Sequence, residues 1–120
     1  MQHSNKSNRI MTQAASQASY NAAIEETLIA IEDALDNCDV DMDYERADAV
    51  LTIVLEDNGT QVILSRQSAV QELWVAARSG GYHLSFQNPG WKCNTTGEDL
   101  PTLLDRVLTE QQGSSVTLNL

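Results

Sequence analysis

The fold is decided by residues 50–66, VLTIVLEDNGTQVILSR. Two runs rich in β-branched and aliphatic residues, 50–56 and 61–66, lie on either side of the Asp-Asn-Gly sequence at 57–59. Asparagine and glycine tolerate the positive φ angles that a tight turn between two antiparallel strands requires. The stretch therefore predicts a β-hairpin, and with it an antiparallel sheet.

Further strands are predicted on both sides of this hairpin. Residues 40–45 alternate between apolar and acidic side chains, and a period of two is typical of a half-buried strand. Three more runs follow the hairpin, at residues 70–78, 82–86 and 91–93. Turns that contain glycine separate these runs, at 79–81 and 88–90. The pattern predicts an antiparallel meander.

Helices are predicted at both ends of the meander. Before the strands, apolar residues at helical spacing predict a first helix at about residues 18–37. These residues are Tyr20, Ile24, Leu28, Ile31 and Leu35. A second stripe ends before Gly113 and consists of Leu100, Leu103, Leu104, Val107 and Leu108. Thr95 and Glu98 predict a capping box at the start of the second helix. Val116, Leu118 and Leu120 alternate in the tail, which is expected to pack against the groove between the helices.

The predicted fold class is α+β. It is a two-layer α/β sandwich in which the N- and C-terminal helices pack on one face of a five- to six-stranded antiparallel sheet. A chain of 120 residues with 42% hydrophobic content supports one domain, predicted at residues 17–120. Residues 1–16 are polar, contain no acid and show no apolar period, which predicts a disordered leader. The sequence has neither an apolar run of membrane-spanning length nor a secretory signal, which predicts a cytoplasmic protein.

Charge is concentrated in one segment of the chain. The net charge is −10, and residues 25–48 hold ten acids against one base. At about 100° per residue, the acids of the first helix lie opposite its apolar face, with Ile29 among them. The acids of the following strand share one face. A continuous acidic surface is therefore predicted. Since it repels phosphates, nucleic acids and anionic membranes are excluded as partners, and metal cations and basic protein surfaces are favoured.

Residues for catalysis are few. His3 and His83 are the only histidines, and the sequence contains no GxSxG, HExxH or phosphate-loop motif. The DVDMD sequence at 39–43 begins like a calcium loop, but Tyr44 and Val50 occupy the positions of the required glycine and final glutamate. Carboxylates without His or Cys suit hard cations such as ferric iron, bound weakly. From charge alone, an acidic face that serves solubility is an equal alternative.

Trp74 is the second candidate for a binding residue. Alternation in residues 70–78 puts Leu73 and Val75 on one face and Trp74 with Glu72 on the other. A large aromatic residue on an uncovered sheet face is typical of a binding anchor, and a half-buried structural tryptophan is the alternative. Hydrogen-bond donors at neighbouring strand ends are expected around it, namely Arg66, Gln67 and Arg78.

These residues and motifs resemble the frataxin family, and specifically its bacterial type. The matching stretches are IEDALD at 31–36, VLTI at 50–53, RQ at 66–67, QELWVAA at 71–77 and SGGYHL at 79–84, followed by Trp91 and Gly97-Glu98. They occur in order through about residues 20–112. The resemblance implies that residues 17–120 are a frataxin-like domain with two helices on an antiparallel sheet, in agreement with the fold predicted from the residues.

The resemblance also implies a function and a site. It implies iron, as Fe²⁺ or Fe³⁺, bound weakly at several exposed carboxylates, here called the acidic ridge. The ridge consists of Glu25, Glu32, Asp33, Asp36, Asp39, Asp41 and Asp43. It implies a protein that regulates iron-sulfur cluster assembly, or supplies iron to it, by docking on the cysteine desulfurase and the scaffold protein. The residues expected to contact these partners are Glu26, Ile29, Arg66, Gln67 and Trp74.

Two other functions stay open at this point. One is ferroxidase or iron-storage activity, which needs a defined two-metal site, and the lack of paired histidines argues against it. The other is an acidic module that binds a basic protein by mimicking nucleic acid. The interpretation favoured by the resemblance is a binding and regulatory protein and not an enzyme, present as a monomer or as a metal-dependent oligomer.

Overall fold

The computed structural model describes the backbone of residues 5–120 and the side chains of residues 16–120. In chain order the elements are α1 (Asn5–Asp36), β1 (Met42–Ala47), β2 (Val50–Leu55), β3 (Gln61–Gln67), a 3-10 turn (Ser68–Val70), β4 (Glu72–Ala77), β5 (Gly80–Gln87), β6 (Gly90–Cys93) and α2 (Leu100–Gln112). Among these described residues, neither helix has the combination of length and apolar character needed to cross a membrane.

The sheet has its six strands in sequential order, each antiparallel to the next. The hairpin predicted from residues 50–66 is present, with Val50 paired to Ser65 and Val54 paired to Gln61. Its turn uses Gly59, which has a φ of 73° and donates its N–H to the carbonyl of Leu55 at 2.7 Å. The predicted meander is therefore confirmed.

Both helices cover the same face of the sheet. Leu28 and Ile31 of α1 and Leu103 and Leu104 of α2 are all fully buried in one core. The strands contribute their inward-pointing residues to this core, among them Leu51, Ile53, Val62, Leu64, Leu73 and Val75. Burial of each such side chain stabilises the fold by about 1.5–3 kcal/mol. The predicted α+β sandwich is confirmed.

The first helix is longer than the sequence predicted. It begins at Asn5 and not near residue 18, and it ends at Asp36. No glycine or proline precedes Gly59, so no residue of very low helix propensity interrupts the polar segment ahead of the amphipathic one. The helix therefore extends into the segment predicted as a disordered leader, residues 1–16, and residues 1–4 lie outside the described residues.

The start of α2 differs from the predicted capping box. The N-cap residue is Asp99, whose side chain accepts a hydrogen bond from the backbone N–H of Thr102 at 2.9 Å. Glu98 instead accepts two hydrogen bonds of 2.8 Å from the guanidinium of Arg106. The predicted box of Thr95 and Glu98 is wrong because the arginine in the helix offers Glu98 a charged, two-pronged donor.

The tail after α2 packs back on the helices, as predicted. Val116 and Leu118 are buried. The backbone of Val116 forms hydrogen bonds of 2.9 and 3.2 Å with the hydroxyl of Thr109, and the N–H of Leu118 donates to Asp105 at 3.0 Å. These contacts hold the tail beside α2 and close to the end of α1, where Cys38 contacts it.

Candidate partner-binding and metal-binding site

The acidic ridge follows α1 and continues into β1. Four of its residues belong to α1, while Asp39 and Asp41 lie in the connection and Asp43 lies in β1. The strand begins at Met42, slightly later than the predicted residue 40. Glu32 is partly buried, and the other six ridge residues are exposed. The carboxylates therefore face solvent along two adjacent elements.

Arg46 joins these two elements. Its guanidinium donates hydrogen bonds of 2.6 and 3.2 Å to the carboxylate of Glu25, and its Nε lies 3.6 Å from a carboxylate oxygen of Glu32. The hydrogen bond with Arg46 holds the pKa of Glu25 below its usual value. On the same strand, Tyr44 donates its hydroxyl to Asp36 at 2.9 Å, and this bond raises the pKa of the tyrosine. Side chains of β1 thus contact three carboxylates of α1.

The acids of α1 lie on two sides of the helix. The three that contact β1 face one way, whereas Glu26 and Asp33 line a groove on the side of the C-terminal tail. Ile29 lies between the two groups on the helical wheel and is 45% exposed. The sequence predicted one continuous stripe. The structure divides it, because residues about 100° apart on a helix face different neighbours.

The ridge carboxylates are spread along the surface. Across residues 16–120, whose side chains are described, no three His, Cys, Asp or Glu residues come close enough to hold one metal ion. Exposed carboxylate oxygens are ligands for hard cations, and water completes the coordination shell at open sites. The arrangement is therefore chemically suited to weak cation binding at several positions and does not form a closed site.

Trp74 lies on the sheet face that the helices leave uncovered. It pairs with His83 across β4 and β5, and the two rings are stacked with centroids 4.1 Å apart and planes within 5° of parallel. The indole N–H donates to one carboxylate oxygen of Glu72 at 2.8 Å, and Asn94 donates to the other at 3.0 Å. The indole is partly buried and held in a fixed orientation, with one part still open to solvent.

Gln67 and Arg66 lie on opposite faces of the sheet. Gln67 pairs with Glu72 and shares the uncovered face, whereas Arg66 pairs with a buried leucine and belongs to the helix-covered face. Arg66 also contributes, as the smaller of two positive neighbours, to the lowered pKa of Glu25. The prediction that Arg66 surrounds Trp74 is therefore wrong, because consecutive residues of a strand point to opposite faces.

The match to a family covers this entire surface. The family model of the frataxin-like domain matches residues 13–114, most of the chain. The chain belongs to the frataxin-like family. This match includes every ridge residue, both sides of α1 and the strand that carries Trp74.

Individual members of the frataxin-like family are similar to this chain over most of their length. The iron-sulfur cluster assembly protein CyaY of Stutzerimonas stutzeri is 43% identical over 103 residues, which cover 84% of this chain and 93% of that protein. The protein of the same name from Pseudomonas aeruginosa is 46% identical over 88 residues, covering 72% and 81%. A solved frataxin from Psychromonas ingrahamii aligns with 87% of this chain and 98% of its own at a TM-score of 0.78. Its 23% identity means that this likeness shows the fold alone.

Two features of this frataxin-like chain were missed in the sequence. One is the contact of Arg46 with α1, and its signal was that Arg46 is the one base among ten acids in residues 25–48. The other is the stacked pair of Trp74 and His83. Its signal was their symmetric placement about the turn between β4 and β5, which makes them direct partners across the hairpin.

Arg46→Met is expected to lower the melting temperature at low ionic strength, because it removes the positive charge that separates Glu25 from Glu32. The difference from the wild type should shrink by roughly half or more as salt is raised from 0.01 to 1 M, where the Debye length falls from about 30 to about 3 Å. Added Mg²⁺ should also reduce the difference in melting temperature between the variant and the wild type. Thermal unfolding followed by circular dichroism measures both effects.

Arg78→Met is the matched control, since it removes the same charge and the Arg78 side chain forms no ion pair within the described residues. Its melting temperature should be nearly independent of salt relative to the wild type. Equal salt responses of the two variants would contradict a specific role of Arg46 in offsetting the repulsion between Glu25 and Glu32.

Proposed function

We propose that this chain takes part in iron-sulfur cluster assembly in the cytoplasm, where it docks on the cysteine desulfurase and scaffold complex and carries iron loosely. The observation that carries the proposal is the close similarity to proteins named for this process. The Stutzerimonas stutzeri relative is 43% identical, and the match spans 93% of its length.

Charge supports the docking part of the proposal. The chain has a net charge of −10, and its densest acidic segment is exposed on α1 and the start of β1. A surface of this kind attracts a basic surface on a partner, speeds the encounter and fixes the orientation of the complex. Ile29, exposed among these acids, adds an apolar contact at the centre.

Ligand chemistry supports the iron part of the proposal. Exposed carboxylates bind hard cations through oxygen, and the separation of the ridge carboxylates favours several weak sites over one tight site. Weak binding suits a protein that gives its iron up to another component. Glu25 is the least available ligand of the ridge, because both of its carboxylate oxygens accept hydrogen bonds from Arg46.

Trp74 supports a second contact with the same complex. Its ring is fixed by stacking on His83 and by the hydrogen bond to Glu72, so that little side-chain entropy is lost when a partner covers it. Fixed aromatic residues are frequent anchors of protein interfaces. Gln67 shares its face and adds a polar group.

The proposal is tested by NMR titration of the ¹⁵N-labelled protein with anaerobic Fe²⁺ and, separately, with the cysteine desulfurase. Both ligands should shift amide signals of residues 25–45, and the desulfurase should shift those of Trp74 and His83 as well. Iron shifts outside the ridge, or a desulfurase that leaves residues 25–45 unchanged, would overturn the proposed site.

A further inference from the structure

A groove of about 620 Å³ lies beside α1, on the side away from β1. One wall runs along α1 from Ala23 to Asn37, the residue directly after the helix, and the other lining residues include Phe86, Pro101 and the tail residues 117–120. At 1.5 Å per residue, the helical wall is about 21 Å long. The groove is therefore long enough to take about four turns of a helix.

The groove presents apolar side chains to solvent. Phe86 is 40% exposed and Leu120 is 42% exposed, although both are large and apolar. Ala30 is exposed on the helical wall, and its small side chain keeps the groove open. Large apolar residues that share one exposed concave surface are typical of sites that another molecule covers.

The charges in the groove all have the same sign. Among the side chains that the structure describes, Glu26 and Asp33 are the charged ones that line it. Both are exposed, and neither carboxylate forms a hydrogen bond or ion pair with any described side chain. They lie two helical turns apart, on the wall next to the apolar residues. An occupant must therefore combine an apolar face with positive charge along one edge.

We propose that this groove binds an amphipathic helix of a partner protein whose apolar face enters the groove and whose lysines or arginines pair with Glu26 and Asp33. The length of the wall, the exposed apolar residues and the two exposed acids match the way in which amphipathic helices bind grooves. This groove is separate from the β1 side of the acidic ridge, although it shares Asp33 with the ridge and Glu26 with the predicted partner contact. The proposal does not need iron or the cysteine desulfurase, and the test below uses neither.

The test uses a synthetic helical peptide of about 14 residues with leucines on one face and lysines on the other. It should bind and shift the NMR signals of Ala30, Phe86 and Leu120. A peptide with glutamates in place of the lysines should not bind. A peptide with serines in place of the leucines keeps the charge, and it should bind at least about tenfold more weakly.

Three variants of the protein show where the peptide binds. Glu26→Gln with Asp33→Asn should weaken binding about tenfold, whereas the matched pair Asp41→Asn with Asp43→Asn, which changes the charge equally, should weaken it less than about twofold. Ala30→Trp fills the groove from an exposed helical position and should also weaken binding about tenfold. Equal effects of the two charge pairs, unchanged binding to Ala30→Trp, or shifts confined to residues 39–43 would overturn the proposal.

Discussion

Replacing Asp36 and Asp41 with lysine is expected to weaken binding to the cysteine desulfurase by about 30- to 100-fold. Each substitution puts a positive charge where the proposed complex has basic residues of the partner, and like charges that face each other across an interface oppose binding. Neither residue contacts Arg46, so the ion pairs of Arg46 with Glu25 and Glu32 still join α1 to β1, and the exposed hydrogen bond from Tyr44 to Asp36 is the one contact between them that is lost. Lysine at the end of α1 is also favourable for the helix dipole, so the fold should be kept.

Isothermal titration calorimetry with the purified desulfurase measures this effect. The matched control replaces Glu110, Ser114 and Ser115 with lysine, which changes the net charge equally at exposed positions near the end of α2. The control should weaken binding by less than about threefold at physiological salt, where charges more than about 8 Å apart are largely screened. A similar loss in both variants would mean that total charge, and not the ridge, drives binding.

The architecture was predictable because hydrophobic periodicity reports directly which face of an element is buried. The sequence showed apolar residues at helical spacing in α1, and all of them are buried between the helix and the sheet, namely Tyr20, Ile24, Leu28, Ile31 and Leu35. The turn at Gly59 was predictable for a local reason, the demand for positive φ. Boundaries were less predictable. The polar stretch before residue 18 has no periodicity, and only its lack of helix-breaking residues is consistent with a start at Asn5.

The sequence predicted which residues of the candidate site are exposed, but it did not predict which of them lie next to one another. Exposed acids on α1 and β1 follow from the two periods, but which neighbours they face depends on how α1 crosses the sheet. Arg46 therefore reaches Glu25 across 21 positions of sequence, a contact that no local pattern reports. For the same reason the sequence did not show that Asp33 of the ridge and Glu26, predicted as a partner contact, line a groove on another side of α1.

Gln111 is the clearest example of a residue whose structural role the sequence pattern did not predict. It continues the apolar stripe of α2 after Leu104, Val107 and Leu108, and it is 4% exposed although it is polar. Its Oε1 accepts the backbone N–H of Arg78 at 2.9 Å, and its Nε2 donates to the carbonyl of Gln61 at 3.1 Å. The helical periodicity predicted that this position faces the core, whereas a glutamine is typical of an exposed position. The two hydrogen bonds to neighbouring strand ends explain why a glutamine is buried here.

Gln111→Ala is expected to destabilise the protein by about 3 kcal/mol, because it leaves the partly buried N–H of Arg78 and carbonyl of Gln61 without these partners. Gln111→Met keeps most of the volume and loses the same hydrogen bonds, so its loss should be similar, at about 2–3 kcal/mol. Urea unfolding at constant pH, followed by circular dichroism, measures both free energies of unfolding.

Gln112→Ala is the matched control on the next residue of the same helix. The amide of Gln112 donates one exposed hydrogen bond, to Asp57 at 2.6 Å, so its removal should cost less than about 1 kcal/mol. If Gln111→Met were as stable as the wild type, the hydrogen bonds would contribute little and packing alone would explain Gln111. If the methionine variant is as unstable as expected, α2 is held to the strand ends by partly buried polar contacts that hydrophobic periodicity does not reveal.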